Sequence, residues 1–234
     1  SLVRGALLPG ALVRGALVRG VVLLGGLLLA ASAGAQLPTP WAAVGRVDVA
    51  DTHACTGTVV GPKEVLTAAH CLFDPDTGVF VAIDDIVFRA GLWGREVQAL
   101  QKPVAVRLRH DYVGGDPNAL AVLERDVAVL VFAEPLGVKA LGLAPANRAV
   151  PDFLTAVRYG KSRPTRTRVD HGCGVVYRVG GLWQLSCKGE AGNSGAPLLA
   201  PSPDGPEVVG VVVAVRVGRS AGHMLAVPLE GGRV

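Results

Sequence analysis

Short apolar segments interrupted by glycine and proline dominate the sequence from residue 44 onwards. No long stretch repeats its apolar residues with the 3.6-residue period of a helix. Valine favours β-strands, whereas glycine and proline favour turns. The valine-rich runs lie at residues 58–60, 79–82, 127–132, 175–179 and 208–217. This pattern predicts an all-β fold, barrel or sandwich, built as one large unit or as two units of about 100 residues.

The N-terminal segment differs in composition from the rest of the chain and predicts export. Residues 20–45 carry no charge, and three arginines, Arg4, Arg14 and Arg19, precede the apolar run at 21–33. Residues 33–35 read Ala-Gly-Ala, the small residues that signal peptidase requires. We therefore expect residues 1–35 to be a cleaved signal peptide of a secreted protein, extracellular or periplasmic. An uncleaved membrane anchor is the alternative, but the apolar run is shorter than the ~20 residues of a spanning helix.

Composition and charge exclude two classes of protein. Hydrophobic residues make up 50% of the chain and charged residues 18%, which excludes extended disorder. Three of the 23 basic residues and none of the 19 acidic ones lie in residues 1–35, so the remainder has a net charge of about +1 and lacks the basic footprint of a nucleic-acid-binding protein. One basic cluster is interpreted as a solvent-exposed loop or, alternatively, as a docking site for acidic partners: Arg158, Lys161, Arg163, Arg166 and Arg168.

Four cysteines are expected to form two disulfides in an oxidising compartment. No Cys-x-x-Cys spacing occurs, which argues against zinc ribbons and thioredoxin-like sites. Three connectivities are open. Cys173 and Cys187 flank a segment typical of a hairpin, and a three-residue loop at 179–181 would place them opposite each other. Cys55 and Cys71 would then form the second pair.

Three separated segments carry residues suited to nucleophilic catalysis. His70 stands beside Cys71 in Thr-Ala-Ala-His-Cys, and Asp126 opens an apolar strand, where a carboxylate could orient a histidine. Ser194 lies in a glycine-flanked turn, Gly-Asn-Ser-Gly-Ala-Pro, in which backbone N–H groups can point to one spot. A serine hydroxyl needs a base, and the base needs an orienting acid. The order His, Asp, Ser supplies all three.

These segments, TAAHC, RDVAVL and GNSGAP, resemble the signatures of the chymotrypsin-like serine proteases, over roughly residues 41–230. The resemblance implies two six-stranded antiparallel β-barrels with the active site in the cleft between them. It assigns His70 as general base, Asp126 as its orienting partner and Ser194 as nucleophile, with Gly192 and Ser194 N–H groups forming the oxyanion hole. The implied function is a secreted serine endopeptidase that acts through an acyl-enzyme, most similar in pattern to small bacterial members related to glutamyl endopeptidases.

The resemblance also suggests boundaries along the chain. Residues 36–43 are expected to be a short propeptide or N-terminal extension, 44–134 the first barrel, 135–151 a linker, and 152–234 the second barrel. Asn193 stands where animal digestive members have the aspartate that pairs with a freed N-terminal amine. Val44-Gly45-Arg46-Val47 likewise lacks their usual Ile-Val-Gly-Gly start. We therefore expect activity after signal removal, with or without trimming of residues 36–43.

Substrate preference stays open at this stage. The resemblance places the substrate pocket at Lys188, Val212, Val213 and Ala214. Lys188 occupies the position of the acidic residue of trypsin-like enzymes, so repulsion disfavours basic substrates. Acidic substrates are conceivable, but Glu190 could neutralise Lys188, and residues 210–213 lack the histidine of glutamyl-specific relatives.

Several alternatives remain beside this interpretation. Asp111 and Asp116 are other candidate acids, and four further histidines are expected to be structural or exposed: His53, His110, His171 and His223. A non-catalytic binding protein on the same fold is the alternative function; an esterase is a third, although α/β-hydrolase esterases use the reverse residue order. We expect a monomer with protein or peptide substrates, no metal at the active site and no organic cofactor; calcium in surface loops stays open.

Overall fold

Fourteen short strands account for most of the regular structure in the part of the chain that the computed structural model describes, residues 41–109, 112, 114–116, 119–216 and 222–229. The helical elements are a single α-turn, α1 (Leu120–Leu123), and 3-10 turns at Trp41–Ala43, Ala69–Leu72 and Ile83–Asp85. No helix among these residues has the length and apolar composition needed to cross a membrane. The expected signal peptide at 1–35, residues 36–40, His110 and Asp111 lie outside the described residues.

The first sheet contains seven antiparallel strands in the order β5-β4-β1-β2-β3-β7-β6. Its edge strands β5 and β6 follow each other in the chain, and Pro103 lies between them. Because proline has no N–H to donate, it ends the strand there. The chain thus turns from one edge of the curled sheet to the other. The strands are β1 (Val44–Val49), β2 (His53–Gly61), β3 (Glu64–Thr67), β4 (Ile86–Ala90), β5 (Ala99–Gln101), β6 (Ala105–Leu108) and β7 (Ala128–Val131).

The second sheet closes into a six-stranded barrel, β12-β9-β10-β11-β14-β13, because β12 also pairs with β13. A short seventh strand, β8, pairs in parallel with β13 and lies within the segment expected to be a linker. The two-barrel architecture is confirmed, with seven strands rather than six in the first sheet. The strands are β8 (Gly142–Leu143), β9 (Phe153–Gly160), β10 (Arg163–Val179), β11 (Leu182–Lys188), β12 (Pro197–Ala200), β13 (Glu207–Val215) and β14 (His223–Pro228).

The β10–β11 hairpin differs from the expected one in its loop. Val179 pairs with Leu182, so the loop is the two residues Gly180 and Gly181, and Gly180 has a φ of +58° that suits glycine. A bulge between Val175 and Tyr177 then shifts the register by one residue. This shift places Cys173 opposite Cys187, as a three-residue loop would have done. A disulfide joins the two cysteines.

One predicted strand, at residues 79–82, is wrong. Only Phe80 pairs, through an isolated bridge to Phe73, and the T-shaped contact of the two rings fixes this loop. Val79 is 63% exposed, so the run of apolar residues does not mark a core strand here. The 3-10 turn Ile83–Asp85 follows immediately and ends the extended segment.

Candidate active site

His70 and Asp126 meet because the strands that carry them are paired. β3 ends at Thr67, which pairs with Ala128 at the start of β7, so the turn that contains His70 lies beside Asp126. One Asp126 carboxylate oxygen accepts from the His70 backbone N–H at 2.7 Å, and the other lies 2.5 Å from Nδ1 of the ring. Because a carboxylate only accepts, it holds the proton on Nδ1 and leaves Nε2 to accept a proton.

The contact between His70 and Asp126 is buried on the side of Asp126. The Asp126 side chain is 2% exposed and that of His70 is 36% exposed, so the ring reaches the surface while its partner does not. Burial and the Asp126 charge together raise the pKa of the neighbouring Tyr112 above its ordinary value. The alternative acid Asp116 makes none of the described hydrogen bonds to His70, and Asp111 lies outside the described residues.

Ser194 lies in the turn between β11 and β12, which the first barrel holds in place. Gly192 and Gly195 have φ values of +93° and +82°, and a Cβ on Gly195 would collide with the backbone oxygen of Thr56. Thr56 of β2 donates its N–H to the Ser194 carbonyl at 2.8 Å and its hydroxyl to the Gly192 carbonyl at 2.9 Å. The turn is therefore fastened across the cleft between the two barrels.

The backbone N–H groups of Gly192 and Ser194 donate to no protein acceptor among the described contacts. Their neighbours do: the Asn193 N–H donates to the Glu190 carbonyl, and the Gly195 N–H donates to Val212 at 2.7 Å. Two donors on alternate residues of a fixed turn are suited to bind an oxyanion. This arrangement requires the left-handed conformation of Gly192.

Asn193 is fully buried and fixes the turn from behind. Its Oδ1 accepts from the Glu190 N–H and from Arg158 Nη1, both at 2.7 Å, and its Nδ2 donates to the Tyr159 carbonyl at 2.6 Å. Arg158 in turn donates to an Asp170 carboxylate oxygen at 2.6 Å and to the Lys188 carbonyl at 3.1 Å. A buried ion pair thus positions the turn that carries Ser194.

Arg158 is the residue that the sequence interpretation placed wrongly. It was grouped with an exposed basic loop, but it is 3% exposed. Leu154 and Ala156, at the same parity in β9, are also buried. Val157 and Tyr159, of the other parity, are buried as well, so β9 is covered on both faces at Arg158. Of its cluster, Arg166 lies over the Trp93 ring and Arg168 pairs with Asp170.

One cavity of about 500 Å³ contains the candidate catalytic residues. His70, Asp126 and Ser194 all line it, and an aromatic wall from the first barrel, Phe73 and Tyr112, lies beside them. No hydrogen bond joins the Ser194 hydroxyl to the His70 ring among the described contacts; such bonds often tighten only when substrate binds. The cavity brings a serine, an imidazole and a buried carboxylate together.

Comparison with known proteins identifies the family. A family model of the trypsin-like peptidase domain matches residues 55–211, more than half of the chain. The chain belongs to the trypsin-like peptidase family. Among solved structures, this trypsin-like peptidase is similar to a Glu endopeptidase in complex with MPD, with 16% identity and a TM-score of 0.66 over 82% of this chain and 86% of that one.

A second similar structure is a thermostable serine protease from an extremophilic microorganism. It shares 18% identity with this peptidase, with a TM-score of 0.64 over 80% of this chain and 91% of that one. At such identities the likeness shows the fold. Membership of the peptidase family implies protein or peptide substrates.

The residues expected to form the substrate pocket of this trypsin-like peptidase divide into two groups. Val213 and Ala214 line the cavity. Lys188 and Val212 do not; Val212 is fully buried in the core of the second barrel. The expectation that Lys188 contacts the substrate therefore finds no support in the shape of the cavity.

The other histidines that the structure describes, and the cysteine next to His70, have structural contacts. His53 bonds to the Cys71 carbonyl at 2.9 Å, His171 to the Thr155 hydroxyl, and His223 to the Leu185 carbonyl. The sulfurs of Cys55 and Cys71 lie near the His70 ring, but they are joined in a disulfide. Because metal ions bind the thiolate form of cysteine, this group does not provide a metal site.

Proposed function

We propose that this peptidase is a secreted serine endopeptidase that uses Ser194, His70 and Asp126. The observation that carries the proposal is the buried Asp126 carboxylate, which binds both the backbone and the ring of His70 at the edge of the cavity that Ser194 lines. This contact fixes the ring orientation and the tautomer that a general base needs.

The mechanism follows from these positions. The Ser194 hydroxyl adds to the substrate carbonyl carbon while its proton passes to Nε2 of His70, and Asp126 stabilises the imidazolium that forms. The N–H groups of Gly192 and Ser194 bind the oxygen that becomes negative. Collapse of the adduct breaks the C–N bond; the amine leaves with the proton from His70, and an acyl-enzyme remains. Water, activated by His70, then releases the acid and restores the serine.

Two features support the finer parts of the proposal. Residues of both barrels line the cavity together with Ser194, among them Phe73 of the first barrel and Val215 of the second, which supports binding of a peptide chain on both sides of the scissile bond. Two disulfides accord with an oxidising, extracellular location. We retain the signal peptide at 1–35, the boundaries given above and the monomeric state as parts of this proposal.

A fluorophosphonate probe tests the proposal directly. The intact mass of the purified protein should increase by one adduct, and the adduct should be absent in Ser194→Ala. Ser202→Ala is the matched control, because that hydroxyl bonds to Glu207 outside the cavity, and it should be labelled normally. A well-folded protein without an adduct would contradict the proposal and favour a binding protein on the same fold.

A further inference from the structure

The cavity restricts where the side chain on the acyl side of the scissile bond, called P1, can lie. The scissile carbonyl carbon must lie at the Ser194 hydroxyl, with its oxygen at the N–H groups of Gly192 and Ser194. The edge of β13 at residues 213–215 faces the cavity, and β14 pairs with its other side. The P1 side chain then enters the gap between residues 190–192 and residues 213–215.

This gap is closed a short distance below the surface. Val215 of β13 and Met224 of β14 are a cross-strand pair, so their side chains lie on the same face. Both point at Gly189: a Cβ on that glycine would lie 2.6 Å from Met224 Cγ and 2.8 Å from Val215 Cγ2. Met224 is fully buried, and neither it nor Gly189 lines the cavity. Val215, which lines the cavity, therefore closes the gap, and Met224 fills the space behind it against Gly189.

Most of the described residues that line the gap are apolar. Val213, Ala214, Val215, Ala191 and Gly192 contribute apolar groups. Glu190 also lines the cavity, but its carboxylate already accepts from the Ser162 hydroxyl and N–H and lies 4.0 Å from Arg158 Nη1. The Lys188 stem packs against Gly222, with Cδ 3.1 Å from the Cβ position of that glycine, and Lys188 does not line the cavity. Burial of an unpaired charge in this gap is costly.

We infer that the enzyme selects a small, uncharged P1 residue, alanine or a residue of similar size, because Val215 and Met224 close the pocket. This inference rests on the proposed function. It assigns specificity to two residues that are separated from Ser194 in sequence and that contribute only bulk. It also predicts that peptides with an acidic or a basic P1 residue are poor substrates of this enzyme.

The test is a set of peptides that differ only at P1: Ala, Val, Phe, Glu and Lys. With the unmodified enzyme, kcat/KM should be highest for Ala and at least about tenfold lower for Phe, Glu and Lys, since one methylene too many is worth 10–200-fold in a fixed pocket. A higher rate with Phe, Glu or Lys than with Ala overturns the inference. If Ser194 is labelled by the fluorophosphonate in that case, the proposed function stands and only the P1 assignment falls. Absence of both labelling and hydrolysis overturns both.

Two variants test how Val215 and Met224 close the gap. Val215→Gly and Met224→Ala should each raise kcat/KM for the Phe peptide at least about tenfold relative to the Ala peptide. Val176→Gly, at an exposed strand position away from the cavity, is the matched control and should leave the ratio unchanged. Met224 lies in the core, so thermal unfolding is used to check that the Met224→Ala variant is folded. Val215 is half-buried, and Val215→Gly is the decisive variant if Met224→Ala does not fold. An unchanged Phe-to-Ala ratio in Val215→Gly overturns the inference.

Discussion

Replacement of Asn193 by alanine should weaken both the fold and the proposed catalytic turn. The change removes three hydrogen bonds, those with the Glu190 N–H, Arg158 Nη1 and the Tyr159 carbonyl. A buried neutral hydrogen bond contributes about 1 kcal/mol and one to a charged group about 2 kcal/mol, so the loss is about 4 kcal/mol in the free energy of unfolding. For a chain of this size, that lowers the melting temperature by roughly 8–16 °C.

The same change should slow the reaction of Ser194. Without Asn193, the Glu190 N–H and Arg158 no longer hold the turn. The N–H groups of Gly192 and Ser194 then no longer point to a common position. Loss of one oxyanion donor costs about 10²–10³-fold in rate, so the rate of fluorophosphonate labelling should fall by at least about 100-fold. Both quantities are measured on purified protein, by thermal unfolding and by the time course of the intact-mass adduct.

Asn147→Ala provides the matched control. Asn147 is exposed, so this variant should melt and react like the unmodified protein. A melting temperature of Asn193→Ala within about 2 °C of that protein would refute the energetic reasoning. A lower melting temperature with an unchanged labelling rate would refute the positioning role alone.

Three further outcomes follow from other contacts. Asp126→Asn should lower the labelling rate at neutral pH by about 10⁴-fold with the fold retained, because an amide can donate to Nδ1 and favour the wrong tautomer; a loss below tenfold would contradict this role. Removal of the Cys173–Cys187 disulfide by paired serine substitutions should lower the free energy of unfolding by about 3 kcal/mol in urea titrations, since it closes a loop of separation 14. Burial raises the pKa of Tyr159, whose hydroxyl donates to the Leu92 carbonyl. Above about pH 10 the unfolded tyrosine loses a proton that the folded one keeps, so stability should fall as pH rises, and less steeply in Tyr159→Phe; equal slopes in urea titrations from pH 8 to 11 would contradict this.

Local pattern was sufficient to place four of the five valine-rich runs in strands and to select the candidate site. Valine-rich runs at 127–132 and 175–179 coincide with β7 and the end of β10, because β-branched residues in apolar surroundings favour strands. The motif around His70 and the glycines around Ser194 each impose their own local conformation. Their combination required the resemblance to a family, since the pairing of β3 with β7 brings together His70 and Asp126, which are 56 positions apart.

Features that depend on packing between distant segments were not predicted. The run at 79–82 is as apolar as a strand, but no neighbour pairs with it beyond Phe73. Position along the chain suggests Lys188 as a pocket residue, and this stays a prediction; the contact of Val215 and Met224 at Gly189 depends on pairing between distant strands. A hydrophobic pattern predicts that a residue is buried. It does not predict which other residues that side chain contacts.

The neutral side chain of Asn193 bears on how the site is assembled. Arg158 already has a carboxylate partner in Asp170 at 2.6 Å, so a second buried carboxylate in place of Asn193 would need another cation. In the animal enzymes that this chain resembles, an aspartate stands there and the freed N-terminal amine supplies the cation. Here Asn193 Oδ1 is occupied by two donors and Nδ2 donates to Tyr159. Asn193 carries no charge to pair with an incoming ammonium group, and its amide oxygen already accepts two hydrogen bonds. The internal contacts of Arg158 therefore hold the turn in place, in accord with the expectation of activity after signal removal, with or without trimming of residues 36–43.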